Sequence, residues 1–505
     1  MSIMPARRLA TAVLVAGLAA CSVGPDYERP SAPVPAEYKE AWKPAPPEKG
    51  WREMRPADAI DRGAWWSIYR DPILDGLERQ IDISNQNLKA AEAAYRQTEA
   101  VVAGARATFF PTATVNGSGA RSRSSGNGGP TSFGGGNIQN RFQLDTAVSW
   151  VPDLWGAVRR TVESDVASAQ ASAGLLASAR LAAQAQLATA YLELRVADEL
   201  ARLLEASVKG FAQALQIARN QFKGGTADQS VVDQAQAQLD STRAQLVAVG
   251  VTRAQLEHSI AVLIGRPPAA LTIVPTEALV AVPLVPPGVP SALIERRPDI
   301  ATAERDMAAA NAAIGVAVAA FYPDVTLSAD YGVSAFALRK LFNASSRIWS
   351  FGATAAETIF DGGARNATVE ERKATYDQSV ANYRQTVLTA FQGVEDALAS
   401  QRILAEQAKA LDAAVAAARS AERTINNQYI AGTQAYTAVI VAQTTALNDA
   451  VQAVNIRQSR LTASVAMIEA LGGGWDASQL PSQDKIESDV PLNFNPLPPV
   501  VVPNK

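Results

Sequence analysis

The sequence has very few of the residues from which enzyme sites are usually built. Its 505 residues include one cysteine, Cys21, and one histidine, His258. A disulfide within the chain is therefore impossible, and no second Cys or His can complete a metal-ligand set or a nucleophilic pair. His258 stands in a helical run beside Glu257. We interpret it as a helix-surface residue and expect no enzyme, no bound metal and no cofactor.

Charge and long apolar runs are also scarce. Charged residues make up 19% of the chain, below the usual quarter, and the net charge is -3. Because there is no basic excess, nucleic acid is not an expected partner. No run of about 20 apolar residues follows the N-terminal segment, so the sequence predicts no membrane-spanning helix.

The N-terminal segment has the pattern of a bacterial lipoprotein signal. Arg7 and Arg8 precede an apolar run over residues 9–20 that is too short to span a bilayer and ends in Leu18-Ala19-Ala20-Cys21. We predict a signal peptide over residues 1–20 and acylation of Cys21, palmitate included, after cleavage. Ser22 rather than Asp follows the cysteine, which favours the outer membrane. The alternative is a secretory signal with a chance cysteine.

One long segment of the chain occurs twice. The first copy opens with Asn220-Gln221-Phe222-Lys223-Gly224-Gly225-Thr226 and ends at Leu263-Ile264-Gly265. The second copy opens with Asn427-Gln428-Tyr429-Ile430-Ala431-Gly432-Thr433 and ends at Ala470-Leu471-Gly472, at a constant offset of 207 residues. Two duplicated halves indicate one architecture built twice rather than several unrelated domains.

Both copies carry a heptad pattern that is typical of a coiled-coil-like seam. In the first copy the two rows are Val232, Leu239, Leu246, Arg253 and Ile260, then Ala235, Thr242, Val249, Leu256 and Leu263. In the second copy they are Val439, Ala446, Ala453, Arg460 and Met467, then Ala442, Asp449, Ile456, Ala463 and Ala470. Small residues dominate the second copy, so we expect these helices to approach closely.

The pattern along the chain predicts five parts after the signal peptide. A Pro-rich and aromatic-rich extended strap covers 21–70, and a first repeat covers 71–290 with a helix, a β-hairpin at about 111–151, a long helical hairpin at about 157–265 and a connector. A second repeat covers 291–474, with a helix, a β-hairpin at about 324–360 and a long helical hairpin at about 364–472. The tail, 475–505, either straps a collar or is disordered. The helix that begins near Pro72 is expected to run for about 35 residues, and each long helix for about 60, or about 90 Å.

Four segments alternate apolar and polar residues, as strands with one apolar face do. In the first half of the chain, the apolar row is Phe142, Leu144, Val148 and Trp150, and a weaker candidate covers Thr112 to Arg121. In the second half, one apolar row is Val325, Leu327, Ala329, Tyr331 and Val333, and the other is Trp349, Phe351, Ala353 and Ala355. The Gly-rich stretch from Ser122 to Asn140 is expected to be a loop. It does not resemble a phosphate-binding loop, because neither Lys-Ser nor Lys-Thr follows it and no helix begins there.

These strands are about ten residues long, the length that crosses a bilayer when tilted. An ordinary soluble sheet of two hairpins is the alternative, and the lipoprotein signal favours the membrane. Four strands cannot close a barrel, and an open edge in lipid would leave backbone groups unpaired. Two copies would give eight strands filled by their own side chains, whereas three give twelve and leave a lumen. We therefore expect a homotrimer.

Two motifs resemble a known family. Leu293-Ile294-Glu295-Arg296-Arg297-Pro298-Asp299-Ile300, followed by Ala303-Glu304, Ile314-Gly315 and Phe321-Tyr322-Pro323, resembles the hallmark of TolC-like outer-membrane efflux proteins. Cys21-Ser22-Val23-Gly24-Pro25-Asp26-Tyr27 with Pro30 resembles the start of their lipoprotein branch, the outer-membrane components of RND-type tripartite efflux pumps.

This resemblance implies a mixed α and β membrane protein. Its expected form is a trimeric 12-stranded outer-membrane β-barrel, four strands per chain, continuous with a long periplasmic α-helical barrel and an equatorial collar. The implied function is a passive conduit that carries small molecules to the exterior from an inner-membrane RND-type transporter and a periplasmic adaptor protein. A lipidated adaptor is the alternative class. An adaptor has one helical hairpin between two soluble β-halves, whereas this chain has two hairpins and four membrane-length strands.

The resemblance also suggests which residues meet the adaptor and line the periplasmic mouth. The expected adaptor-contact tips are Lys223, Gly224, Gly225 and Thr226 with Ile430, Ala431, Gly432 and Thr433. Family channels often narrow their mouth with an acidic side chain about nine residues beyond the second-turn glycine, and here that position is Val441. Asp228 and Asp233 are the other mouth candidates, with capping of a helix N-terminus as their alternative role.

Overall fold

The computed structural model describes a chain of long helices joined to one small sheet. The described residues are 22–40, 64–123, 138–276, 280–283, 285 and 290–495. In chain order the helices and strands are α1 (Pro72–Ser84), α2 (Gln86–Ala107), β1 (Thr112–Arg123), β2 (Ile138–Trp150), α3 (Ala157–Lys223), α4 (Gln229–Leu263), α5 (Pro290–Arg296), α6 (Pro298–Ala319), β3 (Asp324–Ala335), β4 (Arg347–Ala356), α7 (Ala364–Ile430), α8 (Tyr436–Ala470) and α9 (Gln483–Asp489). None of the helices within these ranges is both long enough and apolar enough to cross a membrane.

The four strands form one antiparallel sheet in the order β1-β2-β3-β4. Leu144 lies opposite Gly117 on one side and Val333 on the other, and Tyr331 lies opposite Trp349. This register places most of the apolar residues of the four strands on one face and most of the polar residues on the other. Within the described sheet, β1 and β4 each pair on one side only, so both are edge strands.

The first hairpin is longer than the sequence predicted. Ser122 pairs with Gln139 and Arg123 pairs with Ile138, so the strands include residues that we expected in the loop. The loop prediction for Ser122 to Asn140 is therefore wrong at both ends, because backbone pairing extends the ladder where the side-chain alternation is weak. The glycines at 126–136 lie outside the described residues.

The single helix expected from Pro72 is instead two helices that meet at Asn85. The backbone of Asn85 is extended there, and its side chain accepts a hydrogen bond from Leu88 N at 2.9 Å, which caps α2. Its Nδ2 donates to Leu263 O at 2.7 Å. The break thus satisfies the carbonyl of the last residue of α4 and one of the first amides of α2.

The helices α3 and α7 each have 67 residues, which corresponds to about 100 Å. An aspartate organises the start of each one. Asp153 accepts hydrogen bonds from Val158 N at 2.9 Å and Arg159 N at 3.0 Å. Asp361 accepts from Gly363 N at 2.9 Å and from the backbone of the arginine four residues on. The Asp and Gly residues between strand and helix therefore have the capping role that the sequence indicated.

The heptad rows lie at helix contacts. All twenty positions are buried or half-buried in the described chain. Near the far end of the helices, α3, α4 and α8 enclose an apolar cluster of Leu204, Phe211, Leu215, Ala218, Val232, Ala235, Leu239, Tyr436, Val439 and Leu447. A larger core surrounds Trp65, Tyr191 and Tyr383, where the shorter helices pack on α3 and α7.

Both terminal segments lie along the helices. In the N-terminal segment, Tyr27 OH donates to Glu304 Oε1 at 2.7 Å, and the backbone amides of Lys39 and Glu40 donate to Glu395 at 2.7 and 2.9 Å. In the C-terminal segment, Ile486 is completely buried against α2 and α3. Of the two alternatives for the tail, residues 475–495 form a docked strap, and 496–505 lie outside the described residues.

Candidate functional site at the hairpin tips and the membrane rim

The first helical hairpin turns within a few exposed residues. Gly225 N donates to Phe222 O at 3.0 Å and Thr226 N donates to Gln221 O at 2.9 Å, closing the end of α3. Gly225 has a φ of +71°, a left-handed conformation that glycine adopts without strain. Lys223, Gly224, Gly225 and Thr226 are all exposed.

The second hairpin repeats this turn. Thr433 N donates to Gln428 O at 2.9 Å, and Gly432 has a φ of +74°. Ile430, Ala431, Gly432 and Thr433 are exposed, and Ile430 presents two thirds of its surface. A Cβ added at Gly225 or Gly432 would meet no atom within 4 Å, so a partner can approach both backbones closely.

The two turns lie side by side at one end of the molecule. Tyr429 OH donates a hydrogen bond to Gln221 Oε1, which joins α7 to α3 directly at the tips. The Tyr429 ring also packs on Tyr436 with centroids 5.3 Å apart. Burial, and to a lesser degree the neighbouring Tyr429, raises the pKa of Tyr436 to about 12, so this hydroxyl stays protonated at neutral pH. The predicted tip residues are thus brought together, and this tie between them was not predicted.

A signal for this tie was present in the sequence. Tyr429 stands where the first copy has Phe222, 207 positions earlier, so at this position the two copies differ by one hydroxyl group. The difference indicates a polar contact that only the second tip can make. The acceptor, Gln221, could not be identified from spacing, because it lies on the other hairpin.

The mouth candidates lie in the first two turns of the returning helices. Asp228 occupies the N-cap position of α4, but its side chain makes no capping hydrogen bond among the described residues. Asp233 Oδ1 accepts from Gln229 Nε2 at 2.8 Å. Val441 lies in the second turn of α8 and is 65% exposed. The capping alternative therefore does not describe the Asp228 side chain, which remains exposed.

Aromatic residues gather where strands and helices meet. Trp155 stacks on Tyr322 with centroids 5.0 Å apart, and its Nε1 donates to Pro323 O at 2.8 Å. Trp150 Nε1 donates to Phe109 O at 3.0 Å. Aromatic belts of this kind mark the interface between a membrane and water.

The first described residue of the N-terminal segment lies at this rim. Val23 N donates to Trp155 O at 3.2 Å, and Ser22 packs so closely on Gly156 that a Cβ there would lie 2.8 Å from the serine Oγ. The predicted lipidation residue, Cys21, lies outside the described residues. Its neighbour Ser22, the first described residue of the N-terminal segment, lies where the sheet meets α3.

Two aspartates on the polar face of the sheet accept hydrogen bonds from neighbouring side chains. Asp145 accepts hydrogen bonds from Asn116 Nδ2 at 3.3 Å and Gln143 Nε2 at 3.0 Å, and Asp330 accepts from Ser350 Oγ at 2.9 Å. This hydrated face can line a passage for solutes. No three metal-binding side chains meet in the part of the chain that the structure describes, and His258 is exposed on α4.

Strands of membrane length with one apolar face, combined with helices of about 100 Å, define a channel-type protein of the outer membrane. Residues 78–266 and 289–473 match the model of the family described as Outer membrane efflux protein. The chain belongs to this family.

Known relatives cover nearly the whole chain. This chain is 32% identical over 473 residues to the probable efflux pump outer membrane protein TtgC of Pseudomonas putida, and the alignment covers 92% of this chain and 95% of that protein. It is 30% identical over 485 residues to the outer membrane protein OprJ of Pseudomonas aeruginosa, covering 94% and 97%. Among solved structures, the outer-membrane channel OprN matches with a TM-score of 0.82 at 28% identity, covering 90% of this chain and 100% of that chain. The open state of the Neisseria gonorrhoeae MtrE outer membrane channel matches with a TM-score of 0.78 at 25% identity, covering 90% and 99%.

These relationships confirm the family resemblance found in the sequence. The chain is an outer-membrane channel protein of an efflux system, and it is not an enzyme. The predicted fold class is confirmed as well, with a duplicated unit that contributes four strands and two long helical hairpins.

Proposed function

We propose that three copies of the chain form a passive conduit from a periplasmic adaptor and an inner-membrane RND-type transporter to the cell exterior. The observation that carries this proposal is the four-stranded sheet, with one apolar face, one polar face and two edge strands. A single sheet of this kind cannot stand in lipid, because its edge amides and carbonyls would have no partners. Three sheets joined edge to edge make a closed barrel of twelve strands with the polar faces inside.

The exposed side chains support this arrangement. Tyr331, Trp349 and Phe351 lie on the apolar face, and each exposes 61 to 78% of its surface in the single chain. Lipid would cover them in the barrel. The opposite face presents Asp145 and Asp330, whose carboxylates need a hydrated lumen.

The length of the helices supports a periplasmic role. Helices α3 and α7 are each about 100 Å long, and the hairpin turns lie at the ends of these helices that are remote from the sheet. We assign the adaptor contact to the exposed tip residues Lys223, Gly224, Gly225, Thr226, Ile430, Ala431, Gly432 and Thr433. The periplasmic mouth would be lined by Asp228, Asp233 and Val441. The domain division given above, with repeats over 71–290 and 291–474, belongs to the same proposal.

The lipid anchor at Cys21 is also part of the proposal. Ser22 packs at Gly156, beside the Trp155 and Tyr322 pair that marks the membrane rim. We therefore expect an acyl chain on the preceding residue to enter the inner leaflet of the outer membrane.

We assign selection of the cargo to the inner-membrane transporter rather than to this chain. Two relatives that are both 32% identical to it are named for different cargoes, an antibiotic efflux pump outer membrane protein and a toluene efflux pump outer membrane protein. A passive conduit can serve pumps of different specificity, and its own polar lumen need recognise no single solute.

Native mass spectrometry of the detergent-solubilised protein tests the trimer. We expect a mass of three chains, and a mass of one or two chains would contradict the barrel. A photo-crosslinking residue at Thr433 should capture a periplasmic adaptor, identified by peptide sequencing, whereas the same residue at Glu371, exposed on α7 far from the tip, should not. Capture from Glu371 alone would overturn the tip assignment.

A further inference from the structure

One corner of the fold is closed by an aromatic pair within the chain. The corner between β2 and α3 meets the corner between α6 and β3, and Trp155 fills the joint by stacking on Tyr322 at 5.0 Å. Trp155 Nε1 also donates to Pro323 O at 2.8 Å. This joint keeps neighbouring strands and helices aligned where the sheet gives way to the helices.

The duplication implies a second corner of the same kind between two copies of the chain. Helices α3 and α7 begin at Ala157 and Ala364, 207 positions apart, and strands β1 and β3 begin at Thr112 and Asp324. If β1 of one copy pairs with β4 of the next, the corner at Phe110 meets the corner after β4. This step rests on the proposed trimer.

The second corner has no tryptophan. Gly362 stands at the position that corresponds to Trp155, and Phe110 stands at the position that corresponds to Tyr322. Phe110 nevertheless has an aromatic partner, because Phe494 of the C-terminal strap packs on it edge to face, with centroids 5.4 Å apart. The strap thus brings a ring to the corner where Gly362 stands in place of the tryptophan.

Specific contacts hold the strap in this position. Ile486 is completely buried among Val102, Val162 and Val166. Arg106 pairs with Glu487 at 3.1 Å. Gln170 Nε2 donates to Pro481 O at 2.9 Å. Phe494 is therefore positioned by the strap and does not reach Phe110 by chance.

The rings at this corner remain uncovered in the single chain. Phe494 exposes 72% of its surface and Phe110 exposes 45%. On the other side of the expected joint, Ile359 and Phe360 expose 87% and 88%. Large apolar side chains left so exposed on both sides of an edge mark an interaction surface.

We propose that the C-terminal strap seals the joint between copies. Phe494 packs between Phe110 of its own chain and Ile359 and Phe360 of the next copy. It fills the joint between two chains as Trp155 fills the joint within one chain. A second copy is favoured over lipid as the covering partner because the joint lies at the edges where β1 and β4 have to be paired.

Cysteine crosslinking tests this contact. In the double variant Phe494→Cys with Phe360→Cys, mild oxidation should link copies and give dimer and trimer bands on a non-reducing denaturing gel. Each single variant and the parent chain, which retains Cys21, should give none of these bands. Single-chain bands alone from the double variant, in a preparation whose native mass is three chains, would overturn the seal and leave the conduit intact.

A second measurement distinguishes lipid from protein as the partner. A fluorophore on Asn495→Cys should be shielded from lipid-borne nitroxide quenchers if the next copy covers this corner, and strong quenching would instead assign the corner to lipid. Phe494→Ser should also lower the temperature at which the trimer band disappears in detergent, while Phe342→Ser, which removes a similarly exposed ring beyond β3, should not. A native mass of one chain in the parent would instead reject the proposed trimer itself.

Discussion

Arg253 Nε donates a hydrogen bond to Asp198 Oδ1 at 2.8 Å, and this contact joins α4 to α3 inside the helical bundle. The Asp198 side chain is only 3% exposed. Arg253 also pairs with Glu257 at 2.6 Å and donates to the carbonyl of Ile273, so one guanidinium holds two helices and the start of the connector. The equivalent arginine of the second copy, Arg460, makes no such ion pair within the described residues.

This difference between the copies predicts unequal effects of the same substitution. Arg253→Ala leaves Asp198 buried with only Arg195, 3.6 Å away, as a cation. We expect it to destabilise the chain by roughly 3 kcal/mol, as the removal of one partner from a buried ion pair does. Arg460→Ala is the matched control and should have little effect. Thermal unfolding followed by circular dichroism measures both, and equal midpoints for the two variants would show that the ion-pair cluster is not what holds α4.

The buried carboxyl group of Glu78 is expected to make the free energy of unfolding depend on pH. It is completely buried on α1, and neither carboxylate oxygen has a hydrogen-bond partner among the described residues. Burial, and to a lesser degree the carboxylates of Asp82 and Asp75, raises its pKa from 4.5 to about 9. Between these values the unfolded chain releases a proton that the folded chain keeps, so stability falls as pH rises, by about 1.4 kcal/mol per pH unit.

Glu78→Gln should remove this dependence while preserving the shape of the side chain. We expect the variant to be more stable than the parent at pH 8 and equal to it at pH 4, measured as unfolding midpoints in the same detergent. Glu371→Gln, at an exposed site on α7, should change neither midpoint. If Glu78→Gln has the same midpoint as the parent at both values, Glu78 is ionised in the folded chain.

Local patterns were sufficient to predict the elements and their faces. The alternation at Phe142, Leu144 and Val148 indicated the apolar face of β2, and the observed register places their cross-strand partners on that face too. The aspartate and glycine before each long helix indicated where α3 and α7 begin. These signals come from contacts within a few residues, which a sequence pattern records directly.

Contacts between distant residues were not predictable in the same way. The break at Asn85 depends on Leu263, 178 positions away, and Asp198 meets Arg253 across 55 positions. The heptad row indicated that Arg253 faces a seam, but several carboxylates were equally compatible as partners. Tyr429 and Gln221 likewise belong to different hairpins, so their hydrogen bond required the assembled fold.

Bulky substitutions at the tip glycines are expected to reduce efflux without preventing assembly of the trimer. Gly225→Trp or Gly432→Trp should impair adaptor engagement, because both positions are exposed and a large side chain there blocks a close approach of the partner. Gly225→Ala and Gly432→Ala are matched controls that share the strain of a positive φ but add little bulk. Efflux in cells lacking their own channel measures function, and native mass measures assembly.

For these tip variants we expect three-chain masses throughout and lost efflux only with tryptophan. Full efflux from both tryptophan variants would refute the assignment of the tips. Equal loss in the alanine variants would attribute the effect to backbone strain and not to a blocked contact.

We expect the substitution Cys21→Ser to abolish lipid attachment. Since Cys21 is the only cysteine, labelled palmitate should enter the parent chain and not the variant. Ser22→Thr, which leaves the cysteine in place, is the control and should still be labelled. Incorporation into Cys21→Ser would contradict the lipoprotein interpretation of residues 1–20.

The residues at and near the hairpin tips also indicate how the conduit closes. The second heptad copy is rich in alanine, and contacts between small side chains bury little area and permit helices to slide. Val441 stands where an acid was expected, so we expect closure to rely on packing and on the hydrogen bond from Tyr429 to Gln221 more than on a charged ring. The conductance of the isolated channel should therefore depend only weakly on pH near an Asp pKa of about 4.

Tyr429→Phe isolates the hydrogen bond at the tips from the packing around it. The variant keeps the ring that packs on Tyr436 at 5.3 Å but cannot donate to Gln221, so single-channel recording should show a larger or more frequently open conductance. Tyr436→Phe removes a neighbouring hydroxyl that does not make this tie and should conduct like the parent. A steep opening of the parent channel at acid pH would reject the packing gate, because titrating carboxylates would then control the mouth. If Tyr429→Phe conducts like the parent as well, apolar contacts alone hold the tips together.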